Sequence, residues 1–371
     1  MVDYCELAVP GVRSLQPYQP GKPIDELQRE FGLNEIIKLA SNENPLGPSP
    51  LAIEAIKSEL DELARYPDGN GFDLKTKLSQ HLSVKTNQIT LGNGSNDILE
   101  FVARTFVQPG EEVIFSEYSF AVYPLVTQAI GAVASVVPAL NWGHDLDRML
   151  AQISNKTRLI FIANPNNPTG TWLNRNELIA FLKKVPENVL VVLDEAYFEY
   201  AHHPVSGLND FPNGIELLYE FGNVIVTRTF SKAYGLAGLR VGYGISNSKI
   251  ADLLNRVRQP FNVNSLALAG ACAALDDQAH LEKSVQVNKD GLEQLVSAFD
   301  SLSLAYIPTA GNFLSFDLSQ PAGPIYQELL KKGVIVRPVA NYSMPNHLRV
   351  TIGSQKENAI FIQALKEILK K

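Results

Sequence analysis

The stretch Arg158-Leu-Ile-Phe-Ile-Ala-Asn-Pro-Asn-Asn-Pro-Thr-Gly170 is followed by Val189-Leu-Val-Val-Leu-Asp-Glu-Ala-Tyr197 and then by Val224-Ile-Val-Thr-Arg-Thr-Phe-Ser-Lys232. Each is a short aliphatic run that ends abruptly in polar residues. Runs that stay apolar without alternating are buried on both faces, as parallel strands covered by helices are. Working outward, further strands are expected at 88–91, 112–115, 134–137 and 240–245, with helical patterns between them. One such pattern places Ile53, Ile56, Leu60 and Leu63 on a single face behind Ser49 as N-cap and Pro50 in the first turn. Asn174 with Glu177 marks another helix start. The expected fold is α/β, with a mostly parallel seven-stranded sheet flanked by helices.

Beyond residue 261 the texture changes to two long helical patterns separated by strand-like pieces at 304–318, 334–336 and 348–352, which reads as a smaller α+β domain. Its last helix opens with Ser354-Gln-Lys-Glu357, the spacing of a capping box. The expected division is an irregular, Pro- and Gly-rich arm over 1–45 packing on the small domain or at a dimer interface, a large domain over 46–260 and a small domain over 261–371.

Of the 371 residues, 45% are hydrophobic and 19% charged, ordinary globular usage that excludes long disorder and coiled coil. Net charge is −7 and no Lys/Arg run stands out, which argues against nucleic acid and anionic membranes as partners. No segment has the 18 or so apolar residues of a membrane span, and the first ten residues do not read as a signal peptide. Two cysteines, Cys5 and Cys272, are too few for a disulfide framework or a cysteine zinc site, so the expected compartment is the reducing cytoplasm. His202-His203 lacks an i, i+4 partner, and no metal is expected.

In an open parallel sheet, ligands bind at the carboxyl ends of strands. Four tips are candidates. The run 88–91 leads into Gly92-Asn-Gly94-Ser95-Asn96, a turn whose backbone N–H groups suit a phosphate at a helix start, although a GxG turn alone is more often plain turn chemistry. A dinucleotide fingerprint is disfavoured because the third glycine is missing. Asp194, closing a hydrophobic strand, is costly to bury unless it meets a hydrogen-bonding or cationic partner, either a structural pairing or a ligand. Lys232 has small and apolar neighbours and a cation eight residues on, Arg240; a lysine near other cations and away from water has a lowered pKa and becomes a nucleophile of the Schiff-base type. Tyr123 and Phe120 read as wall or core residues, and Cys272 as a small helix-packing residue.

Asn164-Pro-Asn-Asn-Pro-Thr-Gly170, then Asp194-x-x-Tyr197, then Ser231-Lys232-x7-Arg240 in this order resembles the fold-type I pyridoxal phosphate aminotransferases. Further pieces are similar to the histidinol-phosphate aminotransferase branch: Pro17-Tyr18 with Pro20-Gly-Lys-Pro23, Lys38-Leu-Ala-Ser-Asn-Glu-Asn-Pro45, Arg65-Tyr-Pro-Asp68, Gly333-Val-Ile-Val-Arg-Pro338 and Leu348-Arg-Val-Thr-Ile-Gly353. The resemblance implies pyridoxal phosphate as cofactor, carried on Lys232, which also moves the substrate proton. It implies that Asp194 pairs with the pyridine nitrogen, that Tyr197 and Asn167 hydrogen-bond the phenolic oxygen and that Tyr118 stacks on the ring. The phosphate would be held by Gly94, Ser95, Asn96, Thr229, Ser231 and Arg240, with Tyr66 reaching it from the other subunit of a homodimer. Tyr18, Asn42, Arg337 and Arg349 would form the substrate pocket.

The implied reaction is transfer of the amino group of histidinol phosphate to 2-oxoglutarate, giving imidazole acetol phosphate and glutamate in histidine biosynthesis. An aromatic or broad-range aminotransferase and a decarboxylase of phosphothreonine type are the alternatives that share the scaffold.

Overall fold

The computed structural model describes residues 2–18 and 20–369. Seven strands form the central sheet: β2 (Ile89–Gly92), β3 (Glu112–Ser116), β4 (Val133–Val137), β5 (Thr157–Ala163), β6 (Leu190–Asp194), β7 (Val224–Thr229) and β8 (Gly242–Ser246), in the order β2-β8-β7-β6-β5-β3-β4. All seven fall where aliphatic runs placed them, within two residues at their ends. The strands β7, β6, β5, β3 and β4 pair in parallel, whereas β8 runs antiparallel to both of its neighbours.

Successive residues of these strands face opposite sides, and both sides are dry. Ile160 and Ile162 belong to one core with Leu78, Phe181 and Val226, while Leu159 and Phe161 belong to the other with Ile98, Val102 and Ile225. That two-sided burial is why β5 and β6 read as continuous apolar runs. The register sets Ala163 beside Asp194 and Asp194 beside Thr227, so three polar or open strand ends stand side by side at one edge.

The helix Pro50–Ser58 begins at Ser49, whose hydroxyl accepts the Ala52 N–H at 3.1 Å, and Asn174 with Glu177 forms a reciprocal capping box. The helix Ser265–Asp276 packs against Pro50–Ser58 and buries Ala267, Ala271 and Leu275 in the large-sheet core. A second, antiparallel sheet comprises β12 (Arg337–Pro338), β13 (His347–Thr351), β10 (Phe313–Asp317) and β9 (Tyr306–Ile307); its core includes Phe299, Phe316, Leu348 and Phe361. The last helix, Gln355–Leu369, opens on the Ser354 and Glu357 capping pair.

The first 45 residues are not irregular throughout. Helices span Tyr4–Leu7, Pro10–Arg13 and Ile24–Phe31, the last with Asp25 and Glu26 in its first turn and Gly32 closing it in the left-handed conformation. Acidic side chains at a helix start and a glycine just past its end are sound helix signals that the surrounding prolines obscure. Strand β1 (Ile37–Lys38) then pairs in parallel with β11 (Val334–Ile335). Among the described residues, no helix is long and apolar enough to cross a membrane.

Candidate active site

The strand ends open on a cavity lined by residues from the whole length of the chain, from Tyr18 and Asn42 through Asp194 and Lys232 to Arg337 and Arg349. Lys232 lies three residues past the end of β7, and its Nζ donates to the Ser41 carbonyl at 3.0 Å. Burial pushes its pKa down to about 7, and the Arg349 charge adds to the depression; Arg240 and Lys38 act in the same direction while Glu43 opposes. A cation costs most where water is excluded and other cations stand near, so the amine exists in large part as the free base at neutral pH.

Asp194 is 4% exposed. Its Oδ2 accepts the Tyr123 hydroxyl at 2.8 Å and its Oδ1 accepts the Thr227 hydroxyl at 2.9 Å. Burial raises the carboxyl's pKa, and these two donors hold it down. No cationic side chain among the described residues lies within ion-pair distance of it. The adjacent Glu195 points the other way, where Arg228 supplies a forked contact at 2.7 and 2.9 Å. Alternation along the strand end thus separates a carboxylate with a protein cation from one that faces the cavity.

Tyr197, three residues past Asp194, accepts the Asn42 amide on its hydroxyl at 2.8 Å, and burial pushes its pKa up to about 12. Asn42 is in the left-handed region (φ 56°) and is tied to Thr351 and Asn312 through its backbone. Asn167 accepts Arg349 Nη1 at 2.5 Å. Arg349 is 6% exposed, gives Nη2 to the Ala40 carbonyl at 2.8 Å and keeps a buried Nε with no partner. Arg337 lies 5.7 Å from the Tyr18 ring, and both line the cavity.

A second cation cluster lies at the helix Ser95–Phe106. Its N-cap is Gly94, which offers no side-chain cap, so the first N–H groups remain open to an anion. Gly94 sits at φ 83°, and a Cβ there would come within 2.6 Å of Arg240 Nη2. Arg240 Nη1 in turn donates to Ser231 Oγ at 3.3 Å, and Ser95, Asn96, Thr229, Ser231 and Arg240 all line the cavity.

The chain matches the family "Aminotransferase class I and II" over residues 34–365. It is 60% identical to histidinol-phosphate aminotransferase 2 of Pseudomonas fluorescens strain Pf0-1 over 99% of this chain and 98% of that protein. It is 58% identical to histidinol-phosphate aminotransferase 2 of Pseudomonas aeruginosa over 100% of this chain and 99% of that protein. The chain belongs to the class I and II aminotransferases, on the histidinol-phosphate aminotransferase branch. Among solved structures, that of histidinol-phosphate aminotransferase from Sinorhizobium meliloti, in complex with pyridoxal-5'-phosphate, superposes with a TM-score of 0.89 at 30% identity and covers 97% of each chain.

In this aminotransferase three of the residues expected at the site, Gly94, Tyr118 and Tyr66, are not among those that line the cavity. Tyr118 packs on Trp142 with ring centroids 5.1 Å apart, and Phe120, two residues on, lines the cavity. Tyr66 is 83% exposed, stacked on Phe261 at 4.7 Å, and faces off the molecule. Sequence reasoning took Tyr123 for a wall or core residue and did not connect it with Asp194. It also passed over the Ser41 carbonyl under Lys232 and over Tyr342, another lining residue. His202 contacts the Phe211 carbonyl and stacks on Phe198, and His203 accepts the Val205 N–H, all within the segment 198–211.

Proposed function

We propose that this aminotransferase moves the amino group of histidinol phosphate to 2-oxoglutarate, yielding imidazole acetol phosphate and glutamate in histidine biosynthesis, with pyridoxal phosphate as cofactor. The observation that carries the reading is one cavity holding a lysine of lowered pKa and two distinct cation clusters, Arg240 at the Gly94 turn and Arg337 with Arg349. The residues present fit the cofactor. Asp194 is a buried carboxylate without a protein cation, the Gly94 turn is a cup that a Cβ would fill, and the Arg349 Nε is a buried donor without an acceptor.

Gly94, Ser95, Asn96, Thr229, Ser231 and Arg240 would hold the cofactor phosphate, and Tyr118 would stack on the ring, with Phe120 in the cavity wall beside it. Pyridoxal phosphate, when bound, supplies an electron-withdrawing ring that stabilises negative charge at the substrate Cα. Asp194 holds the proton at the ring nitrogen, which keeps that withdrawal strong. Tyr197 and Asn167 orient the phenolic oxygen, with Asn42 fixing the Tyr197 hydroxyl. Lys232 anchors the cofactor covalently and carries the proton to and from the substrate Cα, a task suited to an amine whose pKa lies near ambient pH. Arg349 and Arg337 take the substrate's anionic end, the phosphate ester in one half-reaction and the distal carboxylate of glutamate in the other, with Tyr18 beside them.

Several exposed apolar side chains lie about Tyr66: Leu60, Leu63, Phe72 and Phe261. They support a homodimer in which Tyr66 serves the partner's site, and the free thiols of Cys5 and Cys272 support a cytoplasmic setting. The arm over 1–45, the large domain over 46–260 and the small domain over 261–371 are the working division of the chain, except that the helix Ser265–Asp276 packs with the large-sheet core.

The aromatic side chains Phe120, Tyr18 and Tyr342 in the cavity favour a second reading, an aromatic amino acid donor. Half-reactions that follow the cofactor's absorbance separate the two. Histidinol phosphate should react faster than phenylalanine or tyrosine by at least tenfold; equal rates would favour the aromatic reading, and carbon dioxide released from a phosphorylated amino acid would favour a decarboxylase.

A further inference from the structure

Behind the Gly94 turn a chain of hydrogen bonds runs to a different part of the surface. Asp97 Oδ2 accepts the Asn93 N–H at 2.8 Å and the Asn262 side-chain amide at 3.1 Å. The Asn262 amide also reaches the Leu91 carbonyl at 3.2 Å, and its Oδ1 accepts Arg258 Nη1 at 2.9 Å. Arg258 Nη2 closes the series on the Gly69 carbonyl at 2.8 Å.

The far end is itself well tied. Asp68 accepts the N–H groups of Asn70 and Phe72, and the Tyr66 ring lies on Phe261, next to Asn262 in the chain. The segment 66–72 and the segment 258–262 therefore behave as one piece, and Asp97 is the point where that piece meets the turn 92–96. Asp97 also occupies the first turn of the helix Ser95–Phe106, where a negative charge is favoured by the helix dipole. Its carboxylate makes no ion pair among the described residues, and its two named partners are neutral donors held together on one oxygen, which has lone pairs for both.

We propose that Asp97 and Asn262 are positioning residues that couple the anion-binding turn 92–96 to the Tyr66 segment, so that filling the cup orders residues 66–72 and ordering those residues tightens the cup. The proposal rests on the reading that the cup takes the cofactor phosphate. The turn presents backbone N–H groups, whose aim is set by its backbone, and the backbone of Asn93 is fixed by Asp97. Coupling between two sites is reciprocal, so each end reports on the other.

Two measurements on the full-length protein test it. First, affinities for pyridoxal phosphate and for phosphate-free pyridoxal are compared by absorbance titration of the cofactor-stripped enzyme. Asn262→Ala should lose about tenfold for the phosphorylated form and stay within about twofold for pyridoxal, and Asp97→Asn, which keeps the shape but not the charge, should show the same selective loss to a smaller degree. A purely structural lesion would weaken both ligands alike. Second, hydrogen exchange of the 66–72 amides should slow when pyridoxal phosphate saturates the wild type and should not slow in saturated Asn262→Ala. Slowing in saturated Asn262→Ala equal to that of the saturated wild type, or equal losses for both ligands, overturns the coupling. A wild type that binds pyridoxal as tightly as pyridoxal phosphate overturns the cup reading itself, a result distinct from either.

Discussion

Tyr123 donates its hydroxyl proton to Asp194 Oδ2 at 2.8 Å, across 71 positions of sequence, from a fully buried ring stacked on Phe161. A hydrogen bond to a charged group in a dry site is worth about 1.5 to 3 kcal/mol, enough to decide whether a buried carboxyl stays ionised. Burial raises the Asp194 pKa, and the Tyr123 bond is the first of the groups that lower it.

Tyr123→Phe should therefore raise the Asp194 pKa further. If the carboxylate holds the ring-nitrogen proton as proposed, its protonation at low pH removes that hold, so the acidic limb of the kcat profile should move to higher pH. The expected loss at the optimum is about tenfold, against roughly 10² to 10⁴ for Asp194→Asn, which removes the charge itself. A pH–rate series on the two variants measures both effects. An acidic limb that does not move in Tyr123→Phe would exclude this control of Asp194.

Lys232 yields a prediction independent of turnover. Reduction with borohydride in the presence of pyridoxal phosphate, followed by peptide mapping, should place the pyridoxyl label on Lys232. In the free enzyme, modification of that amine by a small acylating reagent should have its midpoint near pH 7, where burial and Arg349 set the pKa. Because the Arg349 charge lowers the pKa, Arg349→Met should move the midpoint upward, toward that of an ordinary lysine. A label on another lysine, or a midpoint that moves down in Arg349→Met, contradicts the assignment.

Most of the fold was legible because the strands are buried on both faces. Val191, Val192 and Leu193 are all inaccessible, so β6 shows no polar residue before Asp194. Residues at strand ends were legible for the same reason, since Asp194 closes one apolar run and Asn167, Thr229 and Lys232 lie in the polar stretches that follow two others. Contacts made across the fold were not. No local pattern marks Tyr123 as the donor to Asp194 or the Ser41 carbonyl as the acceptor for Lys232, because both depend on how distant segments pack. Tyr118 and Phe120, two residues apart in one turn, meet different surroundings, Trp142 and the cavity, and no local pattern separates them. The helix Ile24–Phe31 was hidden by the prolines before it, although Leu27 anchors it in a small core with Ala40 and Ile335.

A shared active site makes its own prediction. If Tyr66 serves the partner's cofactor phosphate, a Lys232→Ala chain and a Tyr66→Ala chain are each impaired alone, yet a mixed dimer contains one site with both residues intact. Refolding the two together should restore activity to about a quarter of the wild-type level: half of the dimers are mixed in a random association, and each mixed dimer has one complete site. Activity of the mixture no higher than the average of the two variants would place Tyr66 outside the partner's site.

Substrate choice turns on Arg337. A phosphate ester carries a charge near −2 and gains from two cations, whereas an aromatic donor presents only its α-carboxylate to them. Burial lowers the Arg349 pKa and the nearby Arg337 charge lowers it further, so the two guanidinium groups repel and an anion of sufficient charge eases that repulsion. Relief of that repulsion is available to the phosphorylated donor and much less to phenylalanine. Arg337→Ala should accordingly reduce kcat/KM for histidinol phosphate by about one to two powers of ten more than for phenylalanine, at about 1.4 kcal/mol per decade. Arg337→Lys keeps the charge but loses the planar fork, and should fall between wild type and alanine. The comparison is internal to each variant, so a general loss of folded protein cancels from the ratio. Equal losses for the two donors in Arg337→Ala would remove phosphate reading from Arg337 and shift the preferred substrate to an aromatic amino acid.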